Sequence, residues 1–341
     1  MFKLHRWFEQ MWWSPSPPPL WLRSIEPLYA GISQIHLNRR AANSVMPALP
    51  MISVGNITAG GSAKTPFVLW LAEQLQAQGY SPVILCRGDG GEHRSAKRVS
   101  SDDHAACVGD EAKMLADLSS CPVISAADRV AATKLAAELG DLLILDDGFQ
   151  YRHLLRCCDI VLIPVEGIGN GHAIPAGPLR EPLASLARAD MIIRTGSASN
   201  KQHCAKLGDW HEWQWFTAPL DMIDLMKTGM PAPSSVYAVT AIARPERFFN
   251  DLISTGLTLT GTKAYPDHHA YSASDVSGIL KLCKQDIAIT AKDAVKLQRL
   301  WPKEQPLWVL PQQGHAEAGV LSSIQTYLPQ SKNPAASDRV L

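Results

Sequence analysis

Two short runs carry residues able to handle phosphate: VGNITAGGSAKTPF (54–67), which ends on Lys64-Thr65-Pro66-Phe67, and DLLILDDG (141–148), an apolar stretch that ends on Asp146-Asp147. A lysine and a hydroxyl after a glycine-rich turn can meet the β- and γ-phosphate oxygens and Mg²⁺, while backbone N–H groups surround the phosphates. Against the pattern G-x-x-x-x-G-K-[ST], Lys64 and Thr65 fit, but Thr58 stands at the first glycine and Ala63 at the last. A glycine-rich turn without function is the competing reading, and the pattern alone does not displace it. The aspartates change the balance. A carboxylate at the end of a neighbouring parallel strand is where nucleotide-bound Mg²⁺ finds a protein ligand, although Asp-Asp-Gly at a strand end is by itself more often a turn. Together the runs imply a nucleotide and Mg²⁺. Thr58, Ala59, Gly60, Gly61, Ser62, Ala63, Lys64 and Thr65 form the phosphate cradle, and Thr65 with Asp146 or Asp147 holds the metal. If Ala63 takes a positive φ, its Cβ costs on the order of 1 kcal/mol. Since about 1.4 kcal/mol is tenfold in affinity, weakened rather than abolished nucleotide binding is expected.

These groups need a scaffold, and the flanking pattern supplies one. Residues 51–56 are an apolar run entering the loop, and TPFVLWLAEQLQAQ (65–78) has apolar residues at 67, 68, 71 and 75, Pro66 in its first turn and Gly79 at its stop. That is strand, loop, helix. Continuous apolar runs at 83–85, 142–145, 160–163 and 191–193, with helical patterns near 111–118 and 129–139, predict a parallel sheet covered on both faces. A second series predicts strands at 236–239, 287–289 and 307–310 and helices at 245–252 and 294–300, while WHEWQWF (210–216) alternates as a linking strand would. The expected fold class is α/β. A P-loop NTPase-like parallel-sheet domain with helices on both faces covers 49–215, and a second, smaller α/β domain over 216–330 closes on the site. The polar tail, 331–341, is expected to be disordered.

A length of 341 residues accommodates two cores. Lys plus Arg and Asp plus Glu both total 32, so no global basic excess points to nucleic acid. The seven cysteines are scattered without C-x-x-C or zinc spacing, as suits a reducing cytoplasm. The N-terminal segment, 1–48, departs from this average. It carries four of the ten tryptophans and a local charge of +3, from five Lys or Arg against Glu9 and Glu26. No run of about 18 apolar residues occurs, so nothing is expected to span a bilayer. Between 20 and 40, Leu22, Ile25, Leu28, Tyr29, Ile32, Ile35 and Leu37 recur near helical spacing, with Arg39-Arg40 beside them. Such a segment can lie in a membrane interface or pack on its own domain, and the pattern alone does not choose.

Once GNGHAIPAGPLREP (169–182) is joined to the two phosphate runs, the sequence resembles the tetraacyldisaccharide 4′-kinase family of lipid A synthesis. That family's loop reads like G-N-x-T-x-G-G-x-G-K-T-P, so Gly55, Asn56, Thr58, Gly60, Gly61, Lys64, Thr65 and Pro66 match and Ala63 departs. The likeness continues through CRGDGG (86–91), VGDEAKMLA (108–116), DDGFQ (146–150), ARPERFF (243–249), YPDHHAY (265–271) and TAKDAVKL (290–297). Asp89, Tyr151, Ala241 and Ala291 are further departures from the family's usual wording.

The resemblance implies γ-phosphoryl transfer from ATP to the 4′-hydroxyl of an acylated glucosamine disaccharide 1-phosphate. The enzyme would work peripherally at the cytoplasmic face of a Gram-negative inner membrane, without an obligate protein partner. It also implies Asp110 as the base, assisted by the first histidine of DHH, His268, with His269 beside it as the alternative, and Lys64 neutralising charge. Arg87, Arg180 and Glu181 become candidates for substrate or nucleotide contacts. Without the resemblance, Asp110 reads as a helix cap and the histidines as a polar turn. Two other functions compete: a degenerate relative that binds lipid without turnover, and a soluble P-loop NTPase switch.

Overall fold

The computed structural model describes residues 2–92, 95–198, 207–267, 269–282 and 286–330. His268 and the tail from 331 lie outside the described residues.

Two helices, α1 (Phe2–Trp12) and α2 (Leu20–Ala42), precede the large unit of β1 (Met51–Asn56), α3 (Lys64–Ala77), β2 (Pro82–Cys86), β3 (Lys97–Arg98), α4 (Ala105–Val108), α5 (Asp110–Leu118), β4 (Val123–Ser125), α6 (Arg129–Ala136), β5 (Leu142–Asp146), β6 (Cys158–Pro164), β7 (Met191–Ser197) and β8 (Glu212–Pro219). The smaller unit holds β9 (Ile223–Asp224), β10 (Ser235–Thr240), α7 (Pro245–Ser254), β11 (Thr258–Ala264), α8 (Ala273–Leu282), β12 (Ile287–Thr290), α9 (Ala291–Leu297) and β13 (Leu307–Leu310). The chain then forms β14 (Gln312–Ala316) and α10 (Val320–Gln325).

The nine-stranded sheet runs β14-β8-β7-β6-β1-β5-β2-β4-β3, and only its outermost strands, β14 and β3, pair antiparallel. Every residue of β1, β2, β5 and β6 is buried, the outcome expected of parallel strands with apolar layers on both faces. On one face Phe67, Leu71 and Leu75 of α3 and Leu115 of α5 pack with Trp215 of β8; on the other Ala132 and Ala136 of α6 pack with Val83 and Leu143. The second sheet, β11-β10-β12-β13-β9, is parallel apart from β9. Val54 of β1 pairs in register with Asp146 of β5, so the phosphate loop and the aspartate pair emerge side by side at the carboxyl ends of adjacent strands. That edge of a parallel sheet is where open α/β folds bind ligands.

Two expectations shift. The smaller unit stops short of 330, because β14 pairs with β8 and Val320 and Ile324 of α10 enter the core around Phe67 and Trp215. Residues 216–219 likewise belong to β8. The polar string QQGHA gives no apolar signal, since an edge strand has a neighbour on one side only. The helix expected at 294–300 begins at Ala291, where the Thr290 hydroxyl accepts from the Asp293 N–H at 3.2 Å and the Asp293 carboxylate accepts from the hydroxyl in return. This reciprocal cap fixes the start three residues early.

Candidate active site

The loop between β1 and α3 is stitched down from three sides. Ala59 N–H donates to the Pro178 carbonyl (2.7 Å), Asn56 Nδ2 to the Thr58 carbonyl (2.6 Å) and the Thr195 hydroxyl to the Ser62 carbonyl (3.0 Å). Thr58 also bridges to Leu179. The hydroxyls of Thr58 and Ser62 are buried and have no partner among the described residues. Gly60 takes φ +98°, and Ala63, at the N-cap of α3, takes φ +58° and ψ +30°. The alanine thus sits in the left-handed region that the loop pattern reserves for glycine. Ala63→Gly is expected to raise stability by on the order of 1 kcal/mol and to tighten ATP binding by up to about tenfold. Thermal melting with and without nucleotide checks it, and a glycine variant that melts lower would show that the loop is built around the methyl group.

Lys64 opens α3, and its Nζ lies 3.2 Å from Asn56 Oδ1 and 3.3 Å from Asp147 Oδ1. Asp147 also receives Arg180 NH1 at 3.3 Å on both oxygens. Burial pushes the Asp147 carboxyl up, but Lys64 first and Arg180 next outweigh it and hold the group well below the usual carboxylate range. Asp146 behaves oppositely. It is buried, accepts the Asp147 N–H at 3.0 Å, and is pushed up to about 7 by burial and then by Glu111.

Asp110 is the first residue of α5, not its cap; Gly109 takes that place at φ +92°, where a Cβ would meet the Asp89 carbonyl at 2.8 Å. The reading of Asp110 as a capping side chain is therefore not what this helix uses. Its Oδ2 lies 2.5 Å from Lys296 Nζ on α9, and the same ammonium donates to the His269 carbonyl at 3.3 Å. His268 lies outside the described residues, but its neighbours are placed. Asp267 pairs with Lys292 at 3.0 Å. The His269 ring stacks on Tyr265 and meets Asp275 at 3.3 Å, which occupies it in holding its own turn.

The cleft between the two sheets has two connected parts, about 740 Å³ around the phosphate loop and about 1450 Å³ beyond it, and Lys64, Glu111 and Arg180 line both. Asp110 and Asp147 line the larger part. Of the three substrate candidates, Arg180 alone reaches this cleft. Arg87 is exposed and paired with Asp89 at 3.1 Å, and Glu181 is buried behind the site on Arg188 (2.7 Å) and Gln150 (3.2 Å). Sequence reasoning named neither Lys296 nor the cluster in which Arg244 and Arg247 of ARPERFF grip Glu166 and Arg244 lies over the Trp13 ring at 4.0 Å. The signal for Lys296 was present in TAKDAVKL, one turn beyond the aspartate that caps the helix.

Residues 19–328 match the model of the tetraacyldisaccharide-1-P 4′-kinase family. The chain belongs to this 4′-kinase family. Its relatives include the tetraacyldisaccharide 4′-kinases of Dechloromonas aromatica, 37% identical over 94% of this chain and 97% of that protein, and of Aeromonas salmonicida, 33% identical over 96% and 98%. A crystal structure of the Aquifex aeolicus LpxK in complex with ATP superposes with a TM-score of 0.73 over 90% of this chain and 98% of that one; at 24% identity the likeness concerns the fold. As a 4′-kinase the chain is a phosphotransferase acting on a tetraacyl disaccharide 1-phosphate.

Proposed function

We propose that the protein transfers the γ-phosphoryl group of ATP to the 4′-hydroxyl of the tetraacyl disaccharide 1-phosphate in lipid A synthesis, at the cytoplasmic face of the inner membrane. The observation that carries this reading is that Lys64, Arg180 and Asp110 line one cleft from three separate segments of the chain. The loop amides and Lys64 bind the β- and γ-phosphates, and Arg180 adds positive charge where the transferring group sits. Asp110 takes the proton of the 4′-hydroxyl as its oxygen attacks phosphorus, and the bond to the β,γ-bridging oxygen breaks to leave ADP. His268 assists Asp110.

Thr65 and Asp146 suit Mg²⁺. The buried Asp146 carboxylate beside Glu111 is a site of surplus negative charge, and both donors are hard oxygens, the type Mg²⁺ takes along with water and phosphate. No cluster of three His, Cys, Asp or Glu capable of holding a metal occurs among the described residues. Asp147 is committed to Lys64 and Arg180, which favours Asp146 as the direct ligand. Held by Thr65 and Asp146, the ion would supply positive charge to offset that of the phosphates during transfer.

Membrane attachment is assigned to α2. Trp21, Ile25, Leu28, Ile32 and Ile35 fall on one stripe and are between 44% and 66% exposed. The opposite side is tied down by buried Leu22 and Leu37 and by Glu26, which accepts from the Ala173 N–H at 2.7 Å and meets His172 at 2.8 Å. No helix among the described residues is long and apolar enough to cross a membrane. An apolar stripe ending in Arg39-Arg40 fits an anionic lipid surface.

Purified protein given γ-labelled ATP and the tetraacyl disaccharide 1-phosphate in micelles should yield labelled 4′-phosphate. Label only in free phosphate would favour the NTPase switch, and none in either product the degenerate lipid binder. The paired change Leu28→Glu and Ile32→Glu should weaken binding to anionic vesicles by at least about tenfold while ATP binding stays unchanged. Undiminished sedimentation with vesicles would remove α2 as the anchor.

A further inference from the structure

Lys296 has no role in the reaction described so far, yet it is among the most constrained charges in the cleft. Its side chain is 8% exposed, and it projects from α9 of the smaller unit onto Asp110 of the larger one. Its second bond goes to the His269 carbonyl, in the turn that follows β11. Three separate segments therefore meet at one ammonium group: the start of α5, the turn after β11, and α9.

The helix that carries it is itself well anchored. Asp293, buried one turn earlier, accepts from the Ala241 N–H (2.9 Å), the Tyr271 hydroxyl (3.0 Å) and the Thr240 hydroxyl (2.8 Å). An ammonium on a fixed helix restricts the carboxylate it touches. It holds one oxygen, Oδ2, and thereby fixes the orientation of the carboxylate as a whole. A lysine held in place has given up its rotamer freedom in the fold, before substrate arrives.

We propose that Lys296 is a positioning residue for Asp110, so that the base is correctly aimed only while α9 is docked on α5. The inference rests on Asp110 being the base. It makes alignment of the base a property of the assembled pair of sheets: a chain whose smaller unit swings away keeps its phosphate loop and loses the aim of its carboxylate.

The test compares Lys296→Met, Lys296→Arg and Arg299→Ala in the micelle transfer assay with the full-length protein. Arg299, in the turn that follows α9, contacts His104 at the cleft rim and serves as a control for docking contacts in general. Lys296→Met should lower kcat by about 10- to 100-fold with the KM for ATP nearly unchanged, Lys296→Arg should restore most of that loss, and Arg299→Ala should stay near wild type. In an Asp110→Asn background, Lys296→Met should cost little more, because the two act as one unit. A Lys296→Met enzyme with wild-type kcat would overturn the inference. So would equal losses from Lys296→Met and Arg299→Ala, which would mean that docking matters and the ammonium does not. If Asp110→Asn turns over normally, the base assignment fails first, and the two failures are thereby told apart.

Discussion

Asp110→Asn should lower kcat by about 10²- to 10⁴-fold and leave ATP affinity within about threefold. The asparagine keeps the size of the side chain and an oxygen for Lys296, but it cannot take a proton. The change is also mild for the fold. Asp110 does not cap α5, and no N–H of that helix depends on its side chain. What the helix loses is a negative charge in its first turn, worth roughly 0.3–1 kcal/mol. Single-turnover transfer measured beside nucleotide binding separates the possibilities. A large fall in kcat with unchanged ATP binding and an unchanged melting temperature identifies the base. A fall in melting temperature with turnover intact would make Asp110 a strut, and its contact with Lys296 a structural ion pair between two units.

The sequence was most informative where local pattern and tertiary position coincide. The strands β1, β2, β5 and β6 read directly as apolar runs because both of their faces are covered. The phosphate loop and the aspartate pair were readable as parts of one site because a loop and a carboxylate on the next strand must meet at the carboxyl edge of a parallel sheet; the ion pair in which Lys64 and Asp147 meet at 3.3 Å was not. Ala63 at φ +58° follows from the same logic. Less was legible where a residue's role depends on distant partners. Arg87 and Glu181 carry suitable chemistry, but the fold turns one outward onto Asp89 and closes the other behind Arg188. Lys296 looked like any charge on a short helix until α9 was laid across α5. The strands β14 and β11 were invisible for another reason: at a sheet edge, half-exposed residues such as those of TLTGTKA alternate without a run of apolar residues. The stripe on α2 was visible as periodicity, but its exposure is a fact of packing.

The second large effect is expected at Asp146, where one substitution should move stability and activity in opposite directions. In the folded, metal-free protein its carboxyl is pushed up from 3.8 to about 7 by burial and Glu111, with Lys64 pulling the other way. A carboxyl that binds its proton more tightly in the folded chain than in the unfolded one favours folding while it is protonated. That contribution is complete below about pH 4 and is lost as the pH climbs towards 7. Above that, the fold carries a buried charge that Lys64 and Arg129 offset only in part. Asp146→Asn removes the titration, so in the presence of a chelator the variant should melt higher than the wild type at pH 7.5, and the difference should shrink as the pH falls towards 4. Saturating Mg²⁺ with nucleotide should stabilise the wild type more than the variant, because the ion replaces the missing counter-charge. Transfer should fall by at least about 10³-fold, since the variant would lose the anionic oxygen proposed to hold the metal. A variant that melts no higher at pH 7.5 in chelator would show that the carboxylate is already compensated in the metal-free fold. Transfer within tenfold of wild type would move the metal to Asp147 and require Lys64 and Arg180 to release it.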